Sequence, residues 1–462
     1  MANQQPNIVY IMSDDHAAQA ISAYGSKINT TPNIDRIAEE GARFDRVYCT
    51  NSLCAPSRAT ILTGNYSHIN GVRGLDDDFD GRQQTFPKLL QKNGYQTAIV
   101  GKWHLGHGAE SDPTGFDYWN ILPDQGDYYD PEMIRHGESY RADGYVSDVI
   151  TDDALEWLDG RDTDKPFMLM LHHKAPHRPW DPPERYKDLY DDVTFPEPEN
   201  FQDQYENRAH AATIAKMRIE DLRERDVKGV PPEGLSTEEV RSWKYQRYIR
   251  DYLRCVKTID DSVGNVMDYL EQQGIADNTI VVYTSDQGFF LGEHGWYDKR
   301  FMYEESLQMP FVMKYPGHIA PGSVYDDMII NNDFAPTFLD YAGVEPEESM
   351  QGESFRSICD GERPAEWRDT VYYRYWEHLK EHNVVAHYGI RTDHYKLIYY
   401  YGDPLDVKGA VQKKTEPEWE LFDLDNDPME MKNVYADTAY TEVVAELKEK
   451  LASLRAYYKE EK

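Results

Sequence analysis

Acidic, basic and amide side chains recur in this chain directly behind short apolar runs. Asp14 and Asp15 follow residues 7–12, Lys102 and His104 follow 96–100, His173 and His177 follow 166–171, and Asp286 and Gln287 follow 279–284. Asp14, Asp15, Asp286 and Gln287 offer hard oxygen donors. That set suits calcium or magnesium and not zinc or copper. A divalent cation so held, with Arg58, Lys102, Lys299 and the histidines beside it, suits a small tetrahedral anionic ester. Cys54 stands just before Pro56, a residue suited to the first turn of a helix. The amides of a helix start point at an anion, so Cys54 is placed like a nucleophile. Taken singly, each feature has an ordinary explanation: paired Asp residues cap turns, and a buried cysteine is packing. Their shared position is what points to one site.

The runs that position these groups are short and rich in branched apolar residues. They read as strands buried on both faces. Helical patterns alternate with them: one opened by Thr31-Pro32-Asn33, one from Pro56, and others over 86–90, 149–158 and 248–273. Residues 311–315 read as a further strand. The alternation predicts an α/β fold with a large, mainly parallel sheet sandwiched by helices. In such sheets ligands bind outside the carboxyl ends of the strands, where the polar groups fall. Residues 181–245 are charged and Pro-punctuated, and read as an irregular excursion. After about residue 365 strands come at 370–376, as a pair within 388–401, and at 421–424, with a last helix over 443–454. That predicts a smaller antiparallel sheet with a helix, and a division into 1–365 and 366–462.

A chain of 462 residues, 40% hydrophobic and 13% aromatic, has ample material for a core. Its formal charge is −34, from 83 acidic and 49 basic residues. Such a charge speaks against non-specific binding to nucleic acid or anionic membrane. An anionic substrate would need a local cationic pocket to overcome it. No apolar run reaches the length of a membrane span. Cys49, Cys54, Cys255 and Cys359 show no paired spacing, so neither a zinc site nor a disulfide framework is expected. Residues 1–6 lack the basic and apolar regions of a signal peptide. The expectation is a cytoplasmic protein, or an exported, periplasmic one whose signal has been removed.

Cys54-Ala55-Pro56-Ser57-Arg58, continued to Gly64, resembles the C-x-P-S-R signature of the formylglycine-dependent sulfatases, within the alkaline phosphatase superfamily. Thr31-Pro32-Asn33-Ile34-Asp35, Gly101-Lys102-Trp103-His104, Ser285-Asp286-Gln287-Gly288, Gly292-Glu293-His294-Gly295 and Leu421-Phe422-Asp423-Leu424 match in the same order. The resemblance runs from Asn7 to about Val434. It implies that a formylglycine-generating enzyme oxidises Cys54 to formylglycine. In that family one hydroxyl of the hydrate attacks sulfur in line, and the alcohol leaves. The other hydroxyl then loses a proton and sulfate is expelled. Carried over, Asp14, Asp15, Asp286 and Gln287 bind calcium with the residue at Cys54; the family often has Asn where Gln287 stands. Arg58 orients the diol, Lys102 and Lys299 hold the sulfate, and His104 takes the second proton. His177 protonates the leaving group, with His173 and His172 as competitors.

The resemblance is to carbohydrate sulfatases, nearest to those acting at O6, with an enclosed, exo-type pocket. His173, Arg178 and Trp180 are expected to meet the sugar. So are Trp376, His378, His382, His387 and Arg391 from the C-terminal part, since Arg grips acidic groups and rings stack on sugars. The same residues also suit a phosphonate monoester or phosphodiester hydrolase. If Cys54 stays unconverted, they suit a catalytically silent glycan-binding protein.

Overall fold

The computed structural model describes residues 5–460. Residues 1–4, on which the reading of the N-terminus partly rests, lie outside the described residues. In chain order the main elements are β1 (Asn7–Ser13), α1 (Pro32–Glu40), β2 (Ala42–Tyr48), α2 (Cys54–Thr63), β3 (Gln96–Lys102), β4 (Tyr118–Leu122), β5 (Glu132–Arg135), β6 (Glu138–Arg141), α3 (Val146–Asp159), β7 (Phe167–His172), α4 (Thr237–Gln272), β8 (Thr279–Ser285), β9 (Gln308–Lys314), β10 (Ser323–Tyr325), β11 (Ile329–Ile330), α5 (Phe334–Ala342), β12 (Thr370–Tyr375), β13 (His387–Thr392), β14 (Tyr395–Tyr400), β15 (Glu418–Asp423) and α6 (Thr441–Tyr457).

The apolar runs form the centre of the large sheet. Among the described residues its strand order is β10-β2-β9-β8-β1-β7-β3-β4-β5-β6, with β11 also against β2. β8, β1, β7, β3 and β4 are mutually parallel. β9 runs antiparallel to both β8 and β2. β1, β7 and β8 are buried along their whole length, as strands covered on both faces must be. α1 and α3 pack on α4, and α2 packs with α5. Parallel pairing puts the C-terminal ends of β1, β3, β7 and β8 on one edge. Gly101, with φ 103, closes that edge: a Cβ there would lie 2.0 Å from the His172 carbonyl oxygen, so only glycine lets β3 pass β7 and deliver Lys102.

β12 to β15 form a four-stranded antiparallel sheet in sequence order, and α6 packs on β12 and β13. A single hydrophobic cluster runs through both sheets. No helix among the described residues is long and apolar enough to cross a membrane. Three local features differ from the sequence reading. α4 starts at Thr237, not at 248, because Ser236 Oγ accepts from the Glu239 amide at 3.2 Å while the Glu239 carboxylate accepts from the Ser236 amide at 2.8 Å. β2 was not expected, since its Arg43, Asp45 and Arg46 break the apolar run. α2 starts at Cys54 itself, so the cysteine belongs to its first turn.

Candidate active site

The loops after β1 and β8 are tied together by the backbone. The Asp286 amide donates to Ser13 O at 3.1 Å, the His16 amide to Ser285 Oγ at 2.9 Å, and the Asp15 amide to Asp286 Oδ1 at 3.2 Å. Asp15 adopts φ 69, which turns its side chain back beside Asp14. The result is a buried trio, Asp14, Asp15 and Asp286, whose oxygens lie within 4.8 Å of one another. Gln287 joins it: Nε2 donates to Asp15 Oδ1 at 2.5 Å, and Oε1 is buried without a hydrogen-bond partner. Three carboxylates so close are costly unless compensated. Each has one cation: Lys102 on Asp14, Lys299 on Asp15, and Arg58 on Asp286 at 2.9 Å. Burial, reinforced by Asp286 and Asp298 and opposed by Lys299, still lifts Asp15 to about 6. An orphaned amide oxygen beside three carboxylates fits a hard divalent cation.

Cys54 opens α2 and is 1% exposed. Its Sγ donates to Asp14 Oδ1 at 3.2 Å and lies 3.7 Å from Lys299 Nζ. Burial pushes the thiol up to about 12, with Asp286 and Asp15 adding to the shift and Lys299 and Arg58 opposing it. Such a thiol is not a thiolate at neutral pH and is a poor nucleophile as it stands. One turn further along α2, Arg58 donates to Asp286 through Nε and Nη2 and to Lys102 O through Nη1 at 2.6 Å. It therefore braces the end of β8 against the end of β3.

Two histidines border the cage. His177 Nδ1 donates to Arg178 O at 2.7 Å, so Nε2 is the nitrogen free to exchange a proton; it lies 3.8 Å from Asp15 Oδ2. His104 Nε2 lies 3.2 Å from Gln125 Nε2, and Gln125 Oε1 accepts from Lys102 Nζ. With Gln125 donating, the His104 lone pair is at Nε2. Burial first, and the cations Lys102, Lys299 and Lys174 next, hold both histidines well below the usual range. Both are therefore neutral at pH 7. His172 lies beneath the cage, with Nδ1 3.2 Å from Lys102 O. His173 is fully buried with neither ring nitrogen partnered, and burial lowers it to about 4.

Above Cys54 opens a cavity of about 370 Å³. Its wall includes Gln125, Lys174, His177, Arg178, Asp298, Lys299, Arg300 and His382. Of the residues expected to meet the sugar, the structure brings Arg178 and His382 there. It does not bring the others. Trp180 is fully buried against Tyr248, with ring centroids 4.5 Å apart. His378 is held inside the C-terminal part by Lys413 O at 2.8 Å and the Ala386 amide at 3.2 Å. His387 is buried against Phe301 and Tyr373. Arg391 pairs with Glu304 at 3.1 Å, and Trp376 is covered by the Arg374 guanidinium. Residue type alone points to these positions, and type does not tell which way a side chain faces. Gln125, Asp298 and Arg300 were missed. Asp298 and Arg300 flank Lys299 in sequence and pair at 3.2 Å. Burial pushes Asp298 up, but Arg300, His382 and Lys299 more than offset it and hold it well below the usual carboxylate range.

A buried oxygen cage, a helix-start nucleophile and cationic walls on one edge of a parallel sheet define a hydrolase of small anionic esters. The family model "Sulfatase" matches residues 6–344, and the model "N-sulphoglucosamine sulphohydrolase, C-terminal" matches 292–457. The chain is 44% identical to an N-acetylglucosamine-6-O-sulfatase of Bacteroides thetaiotaomicron, over 99% of this chain and 87% of that protein. It is 29% identical to the N-acetylglucosamine-6-sulfatase of Homo sapiens, over 80% of this chain and 67% of the relative. A solved structure of a protein in complex with its substrate D-glucosamine-2-N,6-O-disulfate superposes with a TM-score of 0.94, at 44% identity and 99% coverage of both chains. The chain belongs to the sulfatase family, whose members hydrolyse sulfate esters and generally use a metal and a formylglycine.

Proposed function

We propose that this chain is a carbohydrate sulfatase that releases sulfate from O6 of N-acetylglucosamine, or a related amino sugar, at the end of a glycan. The observation that carries the reading is the position of Cys54, with Asp14 Oδ1 at 3.2 Å and Lys299 Nζ at 3.7 Å on the floor of a cation-lined cavity. The 44% identical relative, named for that sugar and that position, supports the substrate.

Asp14, Asp15, Asp286 and Gln287, with the side chain at position 54, would hold calcium, which would supply neutralisation of the sulfate charge. A formylglycine-generating enzyme is the partner needed to convert Cys54, and the hydrated aldehyde supplies one hydroxyl to attack and a second to release the product. The chain's own residues do the rest. Lys102 and Lys299 hold the sulfate oxygens. Arg58 keeps Asp286 and the end of β3 in register. His104, neutral and held by Gln125 with its lone pair at Nε2, receives a proton there as the hydrogen bond from Gln125 gives way. His177, anchored through Nδ1, takes up a proton at Nε2 when the anionic sulfate group binds beside it and favours the charged ring, and gives that proton to the leaving sugar oxygen. Its cationic neighbours make it a strong acid once protonated. Arg178 and His382 face the sugar.

The test has two parts. Mass analysis of the peptide holding position 54 should show the loss expected for conversion of thiol to aldehyde. Sulfate release should be fastest from N-acetylglucosamine 6-sulfate in a panel with 3-sulfated, 4-sulfated and aryl sulfates and an aryl phosphodiester. A preference for the diester, or a wholly unmodified peptide from a host that makes the converting enzyme, would sink the proposal.

A further inference from the structure

The cavity wall carries more positive charge than the sulfate needs. Its lining includes six Lys or Arg residues (Lys174, Arg178, Arg223, Arg225, Lys299 and Arg300) against the acids Asp298 and Glu381. In the chain as a whole acids outnumber bases, 83 to 49. Lys299 is engaged by Asp15, and Arg300 by Asp298. Arg223 has no carboxylate within ion-pair distance among the described residues. Among the same residues Arg225 reaches only Asp226, at 3.7 Å, and its side chain is 61% exposed.

These two arginines are not on a loose loop. They flank the start of a short helix, Glu224–Val227, whose Asp226 and Val227 are buried. Lys244 Nζ donates to the carbonyls of Glu220 and Leu222 at 2.5 Å each, and Arg247 Nε donates to Val227 O at 2.7 Å. The Asp226 carboxylate accepts from the Arg223 amide at 3.1 Å. A backbone fixed from beneath presents two guanidinium groups to the cavity, Arg223 with no ion pair among the described residues and Arg225 with only the long one to Asp226. In an acidic protein that arrangement favours an anion arriving from solution.

We propose that Arg223 and Arg225 form a second anion subsite that reads another sulfate or a carboxylate on the sugar whose 6-sulfate sits at Cys54. The proposal rests on the carbohydrate-sulfatase reading above. The anion belongs either to the 2-amino substituent of the same ring or to an acidic sugar next in the chain. In both cases the guanidinium groups sort doubly charged substrates from singly charged ones.

The experiment compares kcat/KM for three sugars: glucosamine 2-N,6-O-disulfate, N-acetylglucosamine 6-sulfate, and a disaccharide joining the latter to a uronic acid. They are measured with the converted wild type, with Arg223→Ala/Arg225→Ala, and with Arg223→Lys/Arg225→Lys. Wild type should prefer at least one doubly anionic sugar over the N-acetyl monosaccharide. In the double alanine variant that preference should fall about tenfold, chiefly through KM, the size of one charge-assisted contact. The double lysine variant should keep most of it. A fall confined to the disulfate assigns the anion to the same ring; one confined to the disaccharide assigns it to the neighbour. Turnover of the N-acetyl sugar with the same preference in wild type and the alanine variant overturns the subsite alone. Turnover of aryl sulfate but of no sugar overturns the parent reading, and the subsite with it.

Discussion

Among the described residues the thiol of Cys54 hydrogen-bonds only with Asp14 and Lys299, so its loss removes chemistry and little packing. Cys54→Ala should abolish sulfate release while moving the melting temperature by no more than about 3 °C. Retained turnover in that variant would refute the nucleophile. Gln125 has a different part: one amide joins Lys102 to His104. Gln125→Leu frees the His104 ring and should lower kcat by roughly 10- to 100-fold with KM little changed. An unaltered kcat would mean that His104 is aimed by something else. The cage was legible in sequence because Asp14, Asp15, Asp286 and Gln287 each follow an apolar run directly. Gln125 was not, because it lies in the turn Pro123–Gly126, where no periodicity marks it. Trp180, His378, His387 and Arg391 share the residue types of sugar contacts, but packing and hydrogen bonds turn them inward.

Two helices meet at Asp260. It belongs to α4, yet its Oδ1 accepts from the amides of Asn33 and Ile34 at the start of α1, at 3.0 Å each. One side chain thus caps a neighbouring helix. Burial lifts Asp260 from near 3.8 to about 6, although the Ile34 amide, Lys257 and the Asn33 amide oppose it. A raised folded value means that protonation favours the folded state. The contribution is full below about pH 4 and is lost as pH rises through about 6. Asp260→Asn keeps a carbonyl acceptor and never ionises. Relative to wild type it should gain up to about 3 kcal/mol between pH 4 and 7, read as a growing difference in melting temperature. A difference flat with pH would count against the shift. Elements were legible in proportion to their burial. β1, β7 and β8, covered on both faces, read as plain apolar runs. β2 alternates buried with half-buried charged residues and was hidden by that chemistry. The early start of α4 was written in Ser236 and Glu239, a capping pair inside a stretch whose charge suggested irregularity.

On the scale of the molecule, the cage is a joint between strands far apart in sequence, so an ion bound there stabilises the sheet that builds it. Stripping the bound ion with a chelator should lower both sulfate release and the melting temperature, and excess calcium, the ion proposed above, should restore both; saturation 100-fold above Kd is worth about 2.7 kcal/mol. No change in either would argue against the cage. The burial of Cys54 also sets an order of events. Lys299, which closes over it, is made 245 residues later. Until then the cysteine is open to another enzyme; afterwards it lies 1% exposed under the cage. The proposed conversion of Cys54 would therefore have a deadline, set by how fast the chain is synthesised and folds. On the proposed mechanism, a molecule that misses it would be folded but idle, and a later supply of the converting enzyme would reach Cys54 only after the sheet is unfolded.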